Sequence, residues 1–350
     1  MTTLASLVLP TAESELWRYS RIGELDLGDF RAAALPTSVV GVTASSDSKV
    51  ALDNVSSEAP DVFEAYNSEH AQVVHIATKR GEVLEAPVVV EHSLADSGVV
   101  CTPLLEIDAA ENSEITVVER FTSSEDARSL LIPSVRIRSA QSARVTYVQI
   151  NELGRATWSI GYQRASGERD SSISTSTIAL GGDYARVRAA VRLVGTGASA
   201  KQVALYFADG AQMHDFRTLQ DHVAPRTRSD LLFKGAVKDT AKSVYTGLIK
   251  IRDTADKAEA FQTNRNLTLS SGAWAESVPN LEIETNDVKC SHASTVGPID
   301  DEQRFYLESR GIRPEIAERL VVFGFFADVI DRLPAAAQPE ILRQKVGARI

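Results

Sequence analysis

The sequence predicts a mainly β protein that ends in a set of helices. Three observations carry this. Polar and apolar residues alternate in Ser134-Val-Arg-Ile-Arg, in Ala143-Arg-Val-Thr-Tyr-Val-Gln-Ile and in Ala185-Arg-Val-Arg-Ala-Ala-Val-Arg-Leu-Val. Period-two alternation is the mark of a strand with one buried face. No amphipathic helical pattern interrupts residues 130–290. Beyond Asp300 the spacing becomes helical and is punctuated by glycine and proline.

The elements follow in chain order. Residues 1–70 carry 11 acidic against 4 basic side chains, a net of −7 within a whole-chain charge of −10. Thr11 is placed to cap a short helix over Glu13–Tyr19. Ser45–Ser57 is rich in Ser and Asp and reads as loop. The segment as a whole reads as a solvated acidic face. From residue 71 the texture is strand-like, with Gln72-Val-Val-His-Ile-Ala and Ala86-Pro-Val-Val-Val-Glu as short β-prone runs. Gly181-Gly182, Gly195-Thr-Gly197, Asp209-Gly210, Gly235, Gly247 and Ser271-Gly272 supply turns between them. A sandwich, a barrel or a β-solenoid all accommodate such a stretch. No fixed-length repeat emerges, so periodicity leaves the choice open.

At the C-terminal end Asp300 is the expected N-cap of a helix over Asp301–Arg310, stopped by Gly311. Pro314 opens a second helix, with Ile316, Leu320, Phe323, Ala327 and Ile330 as its apolar stripe. Pro334 ends that helix and Pro339 opens a third. The expected division is a partly helical acidic segment (1–70), a β core (71–299) and a helical domain (300–350).

Composition narrows the function classes. Apolar residues make up 43% and charged residues 24%, so a folded chain is expected. A pI near 5.2 disfavours nucleic acid as a partner. The longest apolar run, Leu320–Ala327, is too short to span a bilayer, and the first residues lack the basic region of a signal peptide. Two cysteines, Cys101 and Cys290, cannot build a disulfide framework, which points to a reduced, cytoplasmic location. The P-loop pattern, the Gly-x-Ser-x-Gly elbow and His-Glu-x-x-His are absent from the sequence.

Of the remaining candidates, His214-Asp215 and Asp221-His222 pair acid with imidazole, but neighbours on a strand point to opposite faces. They read as structural or surface pairs. Asp221, Asp230 and Asp253 are the carboxylates that glycoside chemistry would need close together. Cys101 reads as a small buried apolar residue. Cys290-Ser-His292 is a better signal, because residues two apart on an extended segment share a face. Thiolate and imidazole suit iron, zinc or copper(I). Two ligands do not close a four-coordinate site. The others would come from elsewhere in the fold or from another chain. A structural cysteine beside a capping histidine is the bland alternative.

Val288-Lys-Cys-Ser-His292 is followed by Thr295-Val-Gly297, by Asp300-Asp-Glu-Gln, by Phe305-Tyr-Leu and by Ser309-Arg-Gly-Ile312. Upstream stand Phe233-Lys-Gly-Ala-Val, Gln262-Thr-Asn-Arg-Asn-Leu, Leu269-Ser and Pro279-Asn-Leu-Glu-Ile, and near the start Glu15-Leu-Trp-Arg-Tyr19. This ordered set resembles the SufB/SufD family of the Suf iron–sulfur cluster assembly machinery, strongly over 210–330 and sparsely before 130. Gly272-Ala-Trp-Ala-Glu-Ser-Val-Pro279 lacks the cysteine of SufB-type proteins, so the resemblance is to the SufD type. Ala293-Ser294 and Ser20 depart mildly from the family pattern.

The resemblance implies a right-handed parallel β-helix core and a C-terminal helical domain that docks a SufC-type ABC ATPase. It implies a SufB-type paralogue as partner, a homodimer when the chain is isolated, and indirect contact with a cysteine desulfurase system. It implies a transient iron–sulfur cluster shared with the partner chain, with His292 as iron ligand and Cys290 as a second cluster-binding residue. A reduced flavin accompanies the assembled complex in this family, although no flavin motif stands in the sequence. The leading expectation is therefore a non-catalytic scaffold subunit, SufD-like, of a SufBCD complex. The alternatives are a β-helix polysaccharide-active enzyme and a binding module that pairs with itself.

Overall fold

The computed structural model describes residues 3–350. Its strands wind into a parallel β-solenoid that lays them alternately into an 11-stranded and a 9-stranded sheet. The first sheet ends with Trp158–Gly167, Tyr184–Leu193, Met213–His222, Lys242–Ile251 and Trp274–Ile283. The second ends with Arg144–Glu152, Ser172–Ala179, Ser199–Ala208, Arg228–Val237, Glu259–Thr268 and Lys289–Gly297. Among the described strands the one antiparallel ladder joins Thr37–Val40 to Val88–Leu94.

The rungs differ in length. Trp158 lies beside Tyr184, 26 residues on, whereas Lys242 lies beside Trp274, 32 residues on. What recurs is a corner. Asn112, Ser142, Asp170, Gly197, Arg226 and Lys257 all have positive φ. Each is followed by a small buried residue: Ser113, Ala143, Ser171, Ala198, Thr227 or Ala258. Each donates its backbone N–H to a carbonyl of the next rung, as Asn112 does to Gln141 (3.0 Å) and Arg226 to Asp256 (2.8 Å). Five of the six are not glycine. The left-handed conformation costs them free energy, and the stacked hydrogen bond offsets it.

Inside the solenoid, alternation packs the two sheets on each other. Tyr206, Phe216, Phe233 and Tyr245 pack in tilted and edge-to-face contact, with ring centroids 4.7, 5.5 and 5.6 Å apart in succession. Gly235 is required here, because a Cβ at that position would collide with the Tyr206 ring.

The outer face of the first sheet carries Arg164, Arg186, Arg188 and Arg217, all buried. Glu58, Asp61 and Glu64 of the N-terminal segment lie over them, while the segment's other acidic side chains stay exposed, as expected of a solvated acidic face. Helix α1 (Val62–His70) is capped by Asp61, whose side chain accepts from the N–H groups of Phe63 and Glu64. Arg164 then grips Glu64 through two bonds of 2.7 Å and Glu58 at 2.8 Å. Arg186 and Arg217 hold Asp215 and also donate to the backbone carbonyls of Leu16 and Arg18. The expected helix over Glu13–Tyr19 is only a 3-10 turn, Glu15–Trp17, and Thr11 caps nothing there. Its function is to set Trp17 under the Arg186 guanidinium, 4.1 Å from the ring centroid.

The second sheet's outer face is covered by the C-terminal helices α3 (Pro314–Ile330) and α4 (Pro339–Gly347), with α2 (Asp301–Ser309) packed on α3. Asp300 caps α2 by accepting from Glu302 and Gln303, and Gly311 ends that helix region with φ 85°. The expected apolar stripe of α3 is rotated. Val322, Phe326, Val329 and Ile330 are the residues buried against Val203, Leu205, Phe207 and Leu232. Ile316 and Leu320 instead remain 38% and 47% exposed. No helix among the described residues is long and apolar enough to cross a membrane.

Candidate functional site

Cys290 and His292 lie on Lys289–Gly297, the last strand of the second sheet. This strand pairs with Glu259–Thr268 on one side, and no described strand pairs with its other edge. In register, Cys290 stands beside Ala260 and His292 beside Gln262. Ala260 and Gln262 both face the solenoid interior and are buried. Cys290 and His292 therefore project from one face, toward the interior side of the open end. The expected common face is present.

Their environments differ. Cys290 is half-buried and packs against Ile249, Ile251, Ala255, Ala258 and Ala260. That burial pushes its thiol pKa up, so the thiolate is disfavoured. His292 is exposed. Around the same mouth, Ser294 bonds Ser277 of the first sheet at 2.7 Å. Trp274, Leu281, Ile283 and Val296 leave apolar surface on the last rung. Among the described residues no group of three or more His, Cys, Asp or Glu gathers to hold a metal ion.

The other candidates are absorbed by the fold. His214 and His222 point into the interior and Asp215 and Asp221 to the outer face, as strand alternation requires. His222 is held between Thr227 (2.8 Å) and Ser229 (2.7 Å), and His214 contacts the Gly181 carbonyl at 3.3 Å. Burial is the main cause that brings both imidazole pKa values down to about 4. Asp221 binds Arg252 at 2.8 Å on the first sheet, while Asp230 meets Arg332 at 3.4 Å outside the second. Asp253 lies exposed in a turn. The carboxylates of a glycoside-cleaving site are thus not brought together. Cys101 is fully buried, and burial with nearby Asp96 pushes its thiol up to about 11.

Sequence reasoning missed Gln262 as part of this site. Its place beside His292 follows from the rung length, which the sequence alone did not yield. It also missed the groove of about 1130 Å³ between α2, α3 and the second sheet. Lys234, Tyr306, Leu320 and Phe325 line that groove, and Phe305 and Tyr306 of α2 stand 71% and 58% exposed nearby.

Against known proteins, residues 90–325 match the SufBD core domain of the SUF system for FeS cluster assembly. An iron–sulfur cluster assembly SufBD family protein of Mycobacterium bovis is 34% identical, over 98% of this chain and 88% of its own length. The iron–sulfur cluster assembly protein SufD of Escherichia coli is 29% identical, with the same two coverages of 98% and 88%. SufD of Bacillus subtilis is 32% identical over 65% of this chain and 53% of its own length.

Proposed function

The chain belongs to the SufB/SufD family, as a SufD-type member with a role in iron–sulfur cluster assembly, and on that premise we propose that it is a non-catalytic scaffold subunit of a SufBCD complex. The observation that carries the proposal is the position of His292, exposed on the interior-facing side of a terminal strand whose outer edge is unpaired among the described residues. There a neutral imidazole can donate a lone pair to iron while a second chain, of the SufB type, adds further ligands. A nascent cluster must also leave, and one histidine shared with a partner's ligands holds it less tightly than a closed four-ligand site. Cys290, half-buried beneath it against Ile249, Ile251 and Ala260, is the second cluster-binding candidate and contributes packing as well.

Helices α2 and α3 are the proposed dock for the SufC-type ATPase. Phe305 and Ile316 leave exposed apolar surface on them, and Tyr306 and Leu320 add more along the groove, the kind of surface that marks protein contact. The groove under α2 is lined by both cations, Lys234 and Arg265, and carboxylates, Asp300 and Glu302, and the reduced flavin is proposed to belong to the assembled complex rather than to this chain alone. The complex works in the cytoplasm, fed with sulfur by a cysteine desulfurase system.

Purification of the native complex from its own cells tests the scaffold reading. Co-purifying paralogue and ATPase, with iron and acid-labile sulfide bound, is the expected outcome. A chain recovered without them and active on a glycan would overturn it.

A further inference from the structure

We propose that Gln262 is the positioning residue for His292, its side-chain oxygen accepting an imidazole N–H so that the other ring nitrogen is held free for the cargo. The inference rests on the reading of His292 as a ligand. Gln262 is 1% exposed, and neither its Oε1 nor its Nε2 has a hydrogen-bond partner. Buried amides are normally bonded, and an orphaned one costs folding free energy. Its interior neighbours on the same strand are satisfied: Asn266 donates to Asn264 at 2.8 Å, and both bond the Tyr206 hydroxyl, at 2.6 and 3.1 Å. Within this strand the orphan is Gln262 alone, and among the described residues only Gln262 leaves two such buried atoms unpartnered.

The surroundings narrow the choice of partner. Across the interior Gly247 leaves the space the amide occupies, since a Cβ there would approach both amide atoms to 2.6 Å. The Tyr245 hydroxyl beside it is shared with Thr218 at 2.9 Å. On the last rung Pro279 stands next to Gly247 in register and has no N–H to offer. Ser277 is engaged with Ser294. His292 stands next to Gln262 in register, about 4.8 Å away by strand spacing. A side-chain rotation spans that gap to an ordinary hydrogen-bond length. Accepting one ring N–H fixes the tautomer and the ring plane, the service that such supporting partners perform for metal-ligating histidines.

The test uses Gln262→Met, which keeps the reach without polar atoms, and Gln262→Glu, which keeps an acceptor. In the full chain labelled with 15N-histidine, wild-type His292 should show one dominant tautomer. Gln262→Met should shift its ring nitrogens toward a mixture while the thermal midpoint stays level or rises. In the three-component complex, Gln262→Met should lower iron and sulfide content about tenfold or more, and Gln262→Glu should retain more than Gln262→Met. Unchanged His292 signals in Gln262→Met overturn the proposal, and so does cluster loss that tracks a lowered melting point alone. The companion variant His292→Ala separates the two claims. If it keeps wild-type cluster content while Gln262→Met still shifts the tautomer, the ligand reading fails and the positioning contact stands.

Discussion

Arg164→Met tests how the acidic N-terminal segment is held. The guanidinium is fully buried and makes three bonds, two of 2.7 Å to Glu64 and one of 2.8 Å to Glu58. Methionine keeps the apolar stem and removes the charge. Glu58 retains Arg188 at 2.8 Å, but Glu64, 1% exposed, is left as a buried carboxylate without its guanidinium. Breaking a buried pair from one side costs about 3–5 kcal/mol, whereas replacing both partners by apolar groups is near neutral or stabilising. The position of Glu64 in the first turn of α1 returns only about 0.3–1 kcal/mol through the helix dipole. Urea unfolding followed by tryptophan fluorescence should therefore show a loss of about 3–5 kcal/mol for Arg164→Met and near-recovery in Arg164→Met/Glu64→Leu. A single-variant loss under about 1 kcal/mol, the range of exposed pairs, or a double variant as weak as the single one, would refute the argument.

Other outcomes follow from the same structure. Phe326→Ala empties the centre of the contact between α3 and the second sheet, so it should cost about 3–5 kcal/mol. Limited proteolysis should cut the C-terminal helices first. His214 and His222 take up protons near 6.5 when unfolded but only near 4 when folded. Stability should thus be full above pH 6.5 and fall as pH drops toward 4, by about 3 kcal/mol for each histidine. The decline of the urea midpoint across that range should be about halved in His222→Gln, since His214 keeps its share. Cys101, held up to about 11, should resist iodoacetamide at pH 8 in the native protein, and Cys101→Ser should leave cluster assembly intact in cells.

Much of the fold was legible because strand alternation and helix caps are local signals. Asp300, Gly311, Pro314 and Pro339 marked helix boundaries to within a residue or two. The solenoid itself was not legible from pattern alone. Its rungs run from 26 to 32 residues, and their common corner is a backbone conformation shared by Asn, Ser, Asp, Gly, Arg and Lys. Only the small buried residue after it, such as Ala143 or Ala258, leaves a trace in the sequence. The resemblance supplied what the period could not. The stripe on α3 was misplaced because the helix is apolar nearly all round, so spacing could not choose Val322 and Phe326 over Ile316 and Leu320. Glu58 and Glu64 looked solvated like the acids around them because their partners, Arg164 and Arg188, lie more than 90 residues away. For the site, the Cys-x-His spacing gave the shared face, but the exposure of His292, the burial of Cys290 and the orphaned amide of Gln262 required the rungs to be stacked.

The central claim is that His292 serves as a ligand for the nascent cluster at the junction with a partner chain. The most direct measurement is the iron and sulfide content of the purified three-component complex carrying His292→Ala, with circular dichroism as the folding control. The His292→Ala complex should stay intact with a wild-type spectrum and sharply reduced cluster content, and Cys290→Ala should lose less. Wild-type iron and sulfide in the His292→Ala complex would contradict it and assign the cluster to the partner chain alone.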